Sequence, residues 1–98
     1  MLYVDKELQG DTLTVSLDGR LDTTTSPDLE KEIQSLNEAK SLTLDLAKLN
    51  YISSAGLRVL LSAHKNFSKL EGMTIININD SIIEIFDVTG FKDILNIK

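Results

Sequence analysis

Leu13, Val15 and Leu17 alternate with Thr14, Ser16 and Asp18, the period-two pattern of a strand that buries one face. Leu2, Val4 and Leu8 carry a weaker form of the same signal. Gly10-Asp11 lies between the two segments, where a two-residue turn needs a positive φ, so the chain is expected to open on an antiparallel hairpin. Ser26-Pro27-Asp28 then offers a capping hydroxyl, a proline at the first helical position and an acid in the first turn. The spacing of Leu29, Ile33 and Leu36 puts them on one face of that helix, which should end near Asn37.

A third strand is predicted where Leu42, Leu44 and Leu46 alternate with Thr43 and Asp45, and segment 49–53 carries the chain on to a second helix. Leu57, Leu60, Leu61, His64 and Phe67 trace its apolar stripe, Leu70 extends it, and Gly72 can supply the left-handed residue that stops it. A fourth strand follows over 73–78. Asn79, Asp80 and Ser81 are good caps for a short third helix through Ile82, Ile83, Ile85 and Phe86, ending near Gly90, and 94–97 reads as a last strand.

Helices between successive strands imply parallel pairing through right-handed crossovers. The clean polar alternation of the second and third strands implies a sheet with its helices mainly on one face, because a sheet covered on both faces has nearly continuous apolar strands. The expected architecture is one α/β domain over residues 1–98: an N-terminal β-hairpin, then alternating helices and mostly parallel strands.

Composition narrows the chemistry. At 98 residues the chain can bury one modest core, and with no Cys and a single His it lacks a thiol nucleophile, disulfides and the usual zinc sites. Its 10 Lys plus Arg against 15 Asp plus Glu leave a net charge of −5, which repels nucleic acid and anionic lipid. The longest charge-free run, 49–57, is about half of the ~18 to 20 residues a membrane span requires, and Asp5, Lys6 and Glu7 break any signal-peptide core. A cytoplasmic location, no membrane insertion and no cofactor are therefore expected.

The most informative stretch is Asn50-Tyr51-Ile52-Ser53-Ser54-Ala55-Gly56-Leu57, at the carboxyl end of the third strand, where function gathers in open α/β sheets. It sets two hydroxyls at a helix N-terminus, whose free N–H groups and dipole favour negative charge. Either serine could equally be a plain N-cap. Ser54 is not placed to be a catalytic nucleophile: the lone His64 lies ten residues on, about 15 Å along the helix, and no glycine precedes the serine. His64 itself falls on the apolar stripe and reads as a packing residue. Asp18 and Asp45 are the solvent-side members of alternating strands, and no adjacent acidic pair follows the first strand to hold magnesium.

With these elements in place, the chain resembles the STAS family, the domain of bacterial anti-sigma factor antagonists, over nearly its whole length. Gly19-Arg20-Leu21-Asp22 followed by Ser26 and Leu29 is similar to the family's segment leading into the first helix. Leu44-Asp45-Leu46, Tyr51-Ile52 and Gly56-Leu57 resemble its signature before the second helix, and Ile85-Phe86-Asp87-Val88-Thr89-Gly90-Phe91 its third helix and terminal glycine. The family's usual C-terminal helix is expected to be short or absent. The resemblance implies a protein-binding module, not an enzyme, that binds an anti-sigma factor which is also a serine kinase and so frees the sigma factor. It also implies that phosphorylation at Ser54 breaks the complex and that a phosphoserine phosphatase resets it. Where the family has Asp before that serine, this chain has Ser53, which leaves a second candidate hydroxyl. The implied partner surface comprises Asp22, Thr23 and Thr24 with Ser53, Ser54, Ala55, Gly56 and Arg58. Residues 22–25 could equally form a turn held by local hydrogen bonds. The alternative within the family is an unphosphorylated scaffold or transporter-associated subunit.

Overall fold

A computed structural model describes residues 2–35 and 39–98. In chain order its elements are β1 (Leu2–Gln9), β2 (Thr12–Leu21), α1 (Ser26–Gln34), β3 (Ser41–Ile52), α2 (Ser54–Ser68), β4 (Gly72–Ile76), α3 (Asp80–Thr89) and α4 (Phe91–Ile94). The sheet runs β1-β2-β3-β4, with β1 antiparallel to β2 and the other pairs parallel. The expected hairpin forms, Gln9 opposite Thr12, with Gly10 at φ 61°. Leu13, Val15, Leu17, Leu42, Leu44 and Leu46 are all at most 1% exposed, whereas Thr14, Ser16, Thr43 and Asp45 between them are only half-buried. One face of the sheet therefore carries the core and the helices, and the other stays polar, as the alternation requires.

The helices are built as their sequences suggest, with local departures. Asn79 caps α3 by accepting the Ile82 N–H at 3.0 Å, and Gly90 ends it in the left-handed conformation at φ 83°, which only glycine adopts without strain. Ser26 is not the cap of α1. Thr25 holds that position, and Ser26 lies inside the helix, 2% exposed, its hydroxyl donating back to the Asp22 carbonyl at 2.5 Å. The helix ends at Gln34, with Ser35 at its C-cap; the expected face residue Leu36 and end near Asn37 fall outside the described residues.

In α2 the core members are Leu57, Val59, Leu60, Ala63 and Phe67, while Leu61 and His64 are only half-buried. The stripe is rotated because α2 is covered by α1 as well as by the sheet: Val59 and Ala63 share a crevice with Ile33. Leu70 does not extend it, being 56% exposed beyond the helix end. Lys69, in ordinary right-handed conformation, is the C-cap, and Gly72 instead opens β4, which stops at Ile76, not Ile78. The last strand is also corrected. Ile94 belongs to α4, and only Ile97 pairs, through a single bridge to Ile75. α4 takes up Phe91–Ile94, and after it the bridge is made by the hydrogen bonds from Ile75 N–H to Asn96 O and from Lys98 N–H to Ile75 O, both 2.9 Å.

The largest departure is in β3, which continues through the segment expected to be a connector. Its pairing with β2 shifts register twice, between Ser16 and Asp18 and between Gly19 and Arg20, each time taking one extra residue of β3. Each extra residue reverses the parity of the pleat, so Leu49 and Ile52 return to the core although they follow Leu46 at intervals of three. The shifts also aim the end of β3 at the start of α2.

There α2 approaches β2 closely. A Cβ on Gly56 would lie 2.8 Å from Leu21 Cγ, 2.9 Å from Ile52 Cγ1 and 2.9 Å from the Leu21 carbonyl oxygen. Overpacking of this kind costs about 1–3 kcal/mol. It opposes the gain of about 1 kcal/mol from placing Ala in a helix. Because one of the clashing atoms is backbone, a rotamer change cannot relieve it. Gly56→Ala is expected to lower the urea midpoint of unfolding despite its better helix propensity.

Candidate functional site at the start of α2

The ends of β2 and β3 and the first turn of α2 meet at one edge. The Ser53 N–H donates to the Leu21 carbonyl at 2.9 Å, tying the residue before α2 to the last residue of β2. Ser53 is extended (φ −96°, ψ 175°), the N-cap geometry, and its hydroxyl accepts the Gly56 N–H at 3.3 Å. The Leu57 N–H donates to the Ser53 carbonyl at 2.9 Å. The two serines thus have different surroundings: Ser53 is half-buried and engaged, and Ser54, the first residue of α2, is exposed. Ala55 is half-buried and Gly56 buried beneath it. Arg58 is exposed one turn further on, on the same helix face as Ser54 by its spacing of four. The first turn of α2 contains no acid of its own to offset its dipole.

Residues 22–25 form the adjoining loop. The Asp22 carboxylate accepts the Thr24 N–H at 3.0 Å and the Thr25 N–H at 3.1 Å, and the Asp22 N–H donates to the Thr25 hydroxyl at 2.9 Å. That hydroxyl lies 2.9 Å from the Arg20 carbonyl, to which it donates, and the Asp22 carbonyl receives the Ser26 N–H at 2.9 Å. The loop is therefore a local hydrogen-bonded turn, and through Leu21 it is also brought against the Ser53 end of α2. Thr23 and Thr24 are exposed at its tip.

Two residues that belong to the sequence motifs but not to the expected site residues stand at the same edge. Arg20 and Tyr51 are direct cross-strand neighbours, with the guanidinium carbon 4.2 Å from the ring centroid. Arg20 Nε lies 3.7 Å from Asp22 Oδ2. Their pairing depends on the two register shifts, so only knowledge of those shifts would have revealed it. His64, further along α2, is half-buried, with Nδ1 buried and unpartnered among the described residues.

The Thr25 N–H is the main influence holding the Asp22 carboxyl below its ordinary value of 3.8; partial burial opposes it, and the Thr24 N–H and the Arg20 charge add to it. A carboxylate whose folded pKa is depressed contributes stability above its unfolded pKa and loses it as pH falls through the folded value. Thermal unfolding followed against pH should show Asp22→Asn less stable than the native chain at neutral pH. The gap should narrow below about pH 4, where the unfolded carboxyl protonates.

Comparison with known proteins identifies the family and the fold. The STAS domain model matches residues 3–98. The anti-sigma-B factor antagonist of Bacillus subtilis is 30% identical over 99 residues, covering 99% of this chain and 91% of that protein. An anti-sigma factor antagonist from Mycobacterium paratuberculosis superposes with a TM-score of 0.88 at 21% identity, covering 99% of this chain and 85% of the other. The Bacillus cell fate determinant SpoIIAA, solved in its phosphorylated form, gives a TM-score of 0.76 at 15% identity, covering 98% and 91%. By its match over almost every residue and by its fold, the chain belongs to the STAS domain family.

Proposed function

We propose that the chain is an anti-sigma factor antagonist switched by phosphorylation at Ser54. Unphosphorylated, it binds an anti-sigma factor that is also an ATP-dependent serine kinase, and the sigma factor is released. Transfer of the γ-phosphoryl group to Ser54 ends the complex, and a phosphoserine phosphatase restores it. The chain is the kinase's substrate and binding partner, not an enzyme, and the cycle's need for ATP places it in the cytoplasm. The contact surface is the 22–24 loop with Ser53, Ser54, Ala55 and Arg58, and Gly56 supports them from below.

The observation that carries this reading is the division of labour between the two serines. Ser53 spends its hydroxyl on the Gly56 N–H, whereas Ser54 presents its own to solvent at the first position of the helix. A phosphate there adds roughly −1.5 to −2 charges. The helix terminus favours that charge by about 0.3–1 kcal/mol, so the fold tolerates it. A like charge on a partner ~4 Å away costs about 4 kcal/mol at an effective dielectric near 20, roughly a thousandfold in affinity. The antagonist names carried by similar proteins, and the phosphorylated state of SpoIIAA, support the same assignment.

Incubation with the cognate anti-sigma factor and ATP should add one phosphate by intact-mass measurement. Ser54→Ala should abolish it. Ser53→Ala should still accept it while losing about 1 kcal/mol of stability with its cap. Label that persists in Ser54→Ala, or that maps to Ser53, contradicts the assignment.

A further inference from the structure

We infer that Arg20, laid against Tyr51 at the ends of β2 and β3, is an anchor that grips a carboxylate on the protein partner. The inference rests on the function proposed above and names the chemistry that this edge reads. Arg20 and Tyr51 are paired across the strands, and the guanidinium stacks on the ring at 4.2 Å. Nε faces Asp22 Oδ2 at 3.7 Å. Stack and ion pair both restrain the guanidinium, yet the Arg20 side chain remains 53% exposed and Tyr51 38% exposed. Among the described residues no hydrogen bond from its terminal nitrogens is present, and the half-exposed side chain leaves those donors accessible to a partner. The guanidinium fork matches a carboxylate, and a side chain already restrained loses less entropy on docking than a free one.

Position and charge point the same way. The residue after Arg20 is Leu21, whose carbonyl receives the Ser53 N–H, so the anchor and Ser54 belong to one edge. On a chain of net charge −5, an acidic side chain settles best beside a cation, and this edge presents Arg20 together with the exposed Arg58 of α2. The same net charge disfavours a polyanion such as nucleic acid, which leaves a single carboxylate on a folded partner as the fitting occupant. Arg and Tyr are also the residue types that carry most energy at protein interfaces.

The test is the dissociation constant of the anti-sigma factor for the native chain, Arg20→Lys, Arg20→Glu and Tyr51→Phe, with urea unfolding of each as a check on the fold. Arg20→Lys keeps the charge and loses the fork, and should weaken binding by roughly tenfold or more with little change in the urea midpoint. Tyr51→Phe keeps the ring on which the guanidinium stacks and removes only the hydroxyl, so it should weaken binding less than Arg20→Lys does. Arg20→Glu should lose binding and regain it when one Asp or Glu of the partner is changed to Arg. Equal binding by the native chain and Arg20→Lys overturns this contact alone, as does a loss in Arg20→Glu that no reversal of a partner acid restores. A native chain that binds no anti-sigma factor overturns the parent reading and this one with it.

Discussion

The close approach of α2 to the end of β2 is the constraint from which the rest of the site follows. Three contacts define it: the Ser53 N–H on the Leu21 carbonyl, the Ser53 hydroxyl on the Gly56 N–H, and the bare Cα of Gly56 against Leu21 and Ile52. None is large alone. Each also satisfies something the fold would otherwise leave open, whether a strand-end carbonyl, an unpaired N–H of the first helical turn or a gap too narrow for a side chain. Ser54 follows directly from this arrangement, held at the surface by a neighbour that is fixed.

The same junction divides the buried side chains that hold the fold from the exposed ones of the candidate site. Inward it presents Leu21, Ile52 and Gly56 to a core that is closed to solvent; outward it presents Ser54, the turn built on Asp22, and the stacked pair Arg20 and Tyr51. A charge added outward meets a helix terminus that accepts it, so it can change what binds without changing what folds. The one-sided sheet contributes to this separation: with helices confined to the Leu13 and Leu44 face, the edge where strands end and α2 begins is left uncovered.

Much of this was legible in the sequence wherever the determinants are local. The hairpin about Gly10, the alternation of β2 and the start of β3, and α3 between Asn79 and Gly90 depend on neighbours a few residues apart, and all form as read. The misreadings have long-range or competing causes. Intervals of three between Leu46, Leu49 and Ile52 fit no regular strand, and only two extra residues taken up against β2 make them core positions. Ser26 has the residue type and proline neighbour of a cap, but the Asp22 carbonyl captures its hydroxyl from within the helix. Which face of α2 is buried was decided by α1, which covers Val59 and Ala63 in place of Leu61 and His64. Both serines were visible as candidates, but only the extended backbone at Ser53 decides which one is the cap. The pairing of Arg20 with Tyr51 joins residues far apart in sequence through a register that no local pattern encodes.

In the proposed switch, phosphorylation at Ser54 alters the surface while the junction beneath it stays closed. Amide hydrogen exchange on the chain carrying phosphoserine at position 54, compared residue by residue with the unmodified chain, tests it most directly. Unchanged or increased protection at the Ser53, Gly56 and Leu57 amides is the predicted result. Loss of protection at those three amides would mean that the phosphate opens the junction, and that the switch works by local unfolding instead of surface charge.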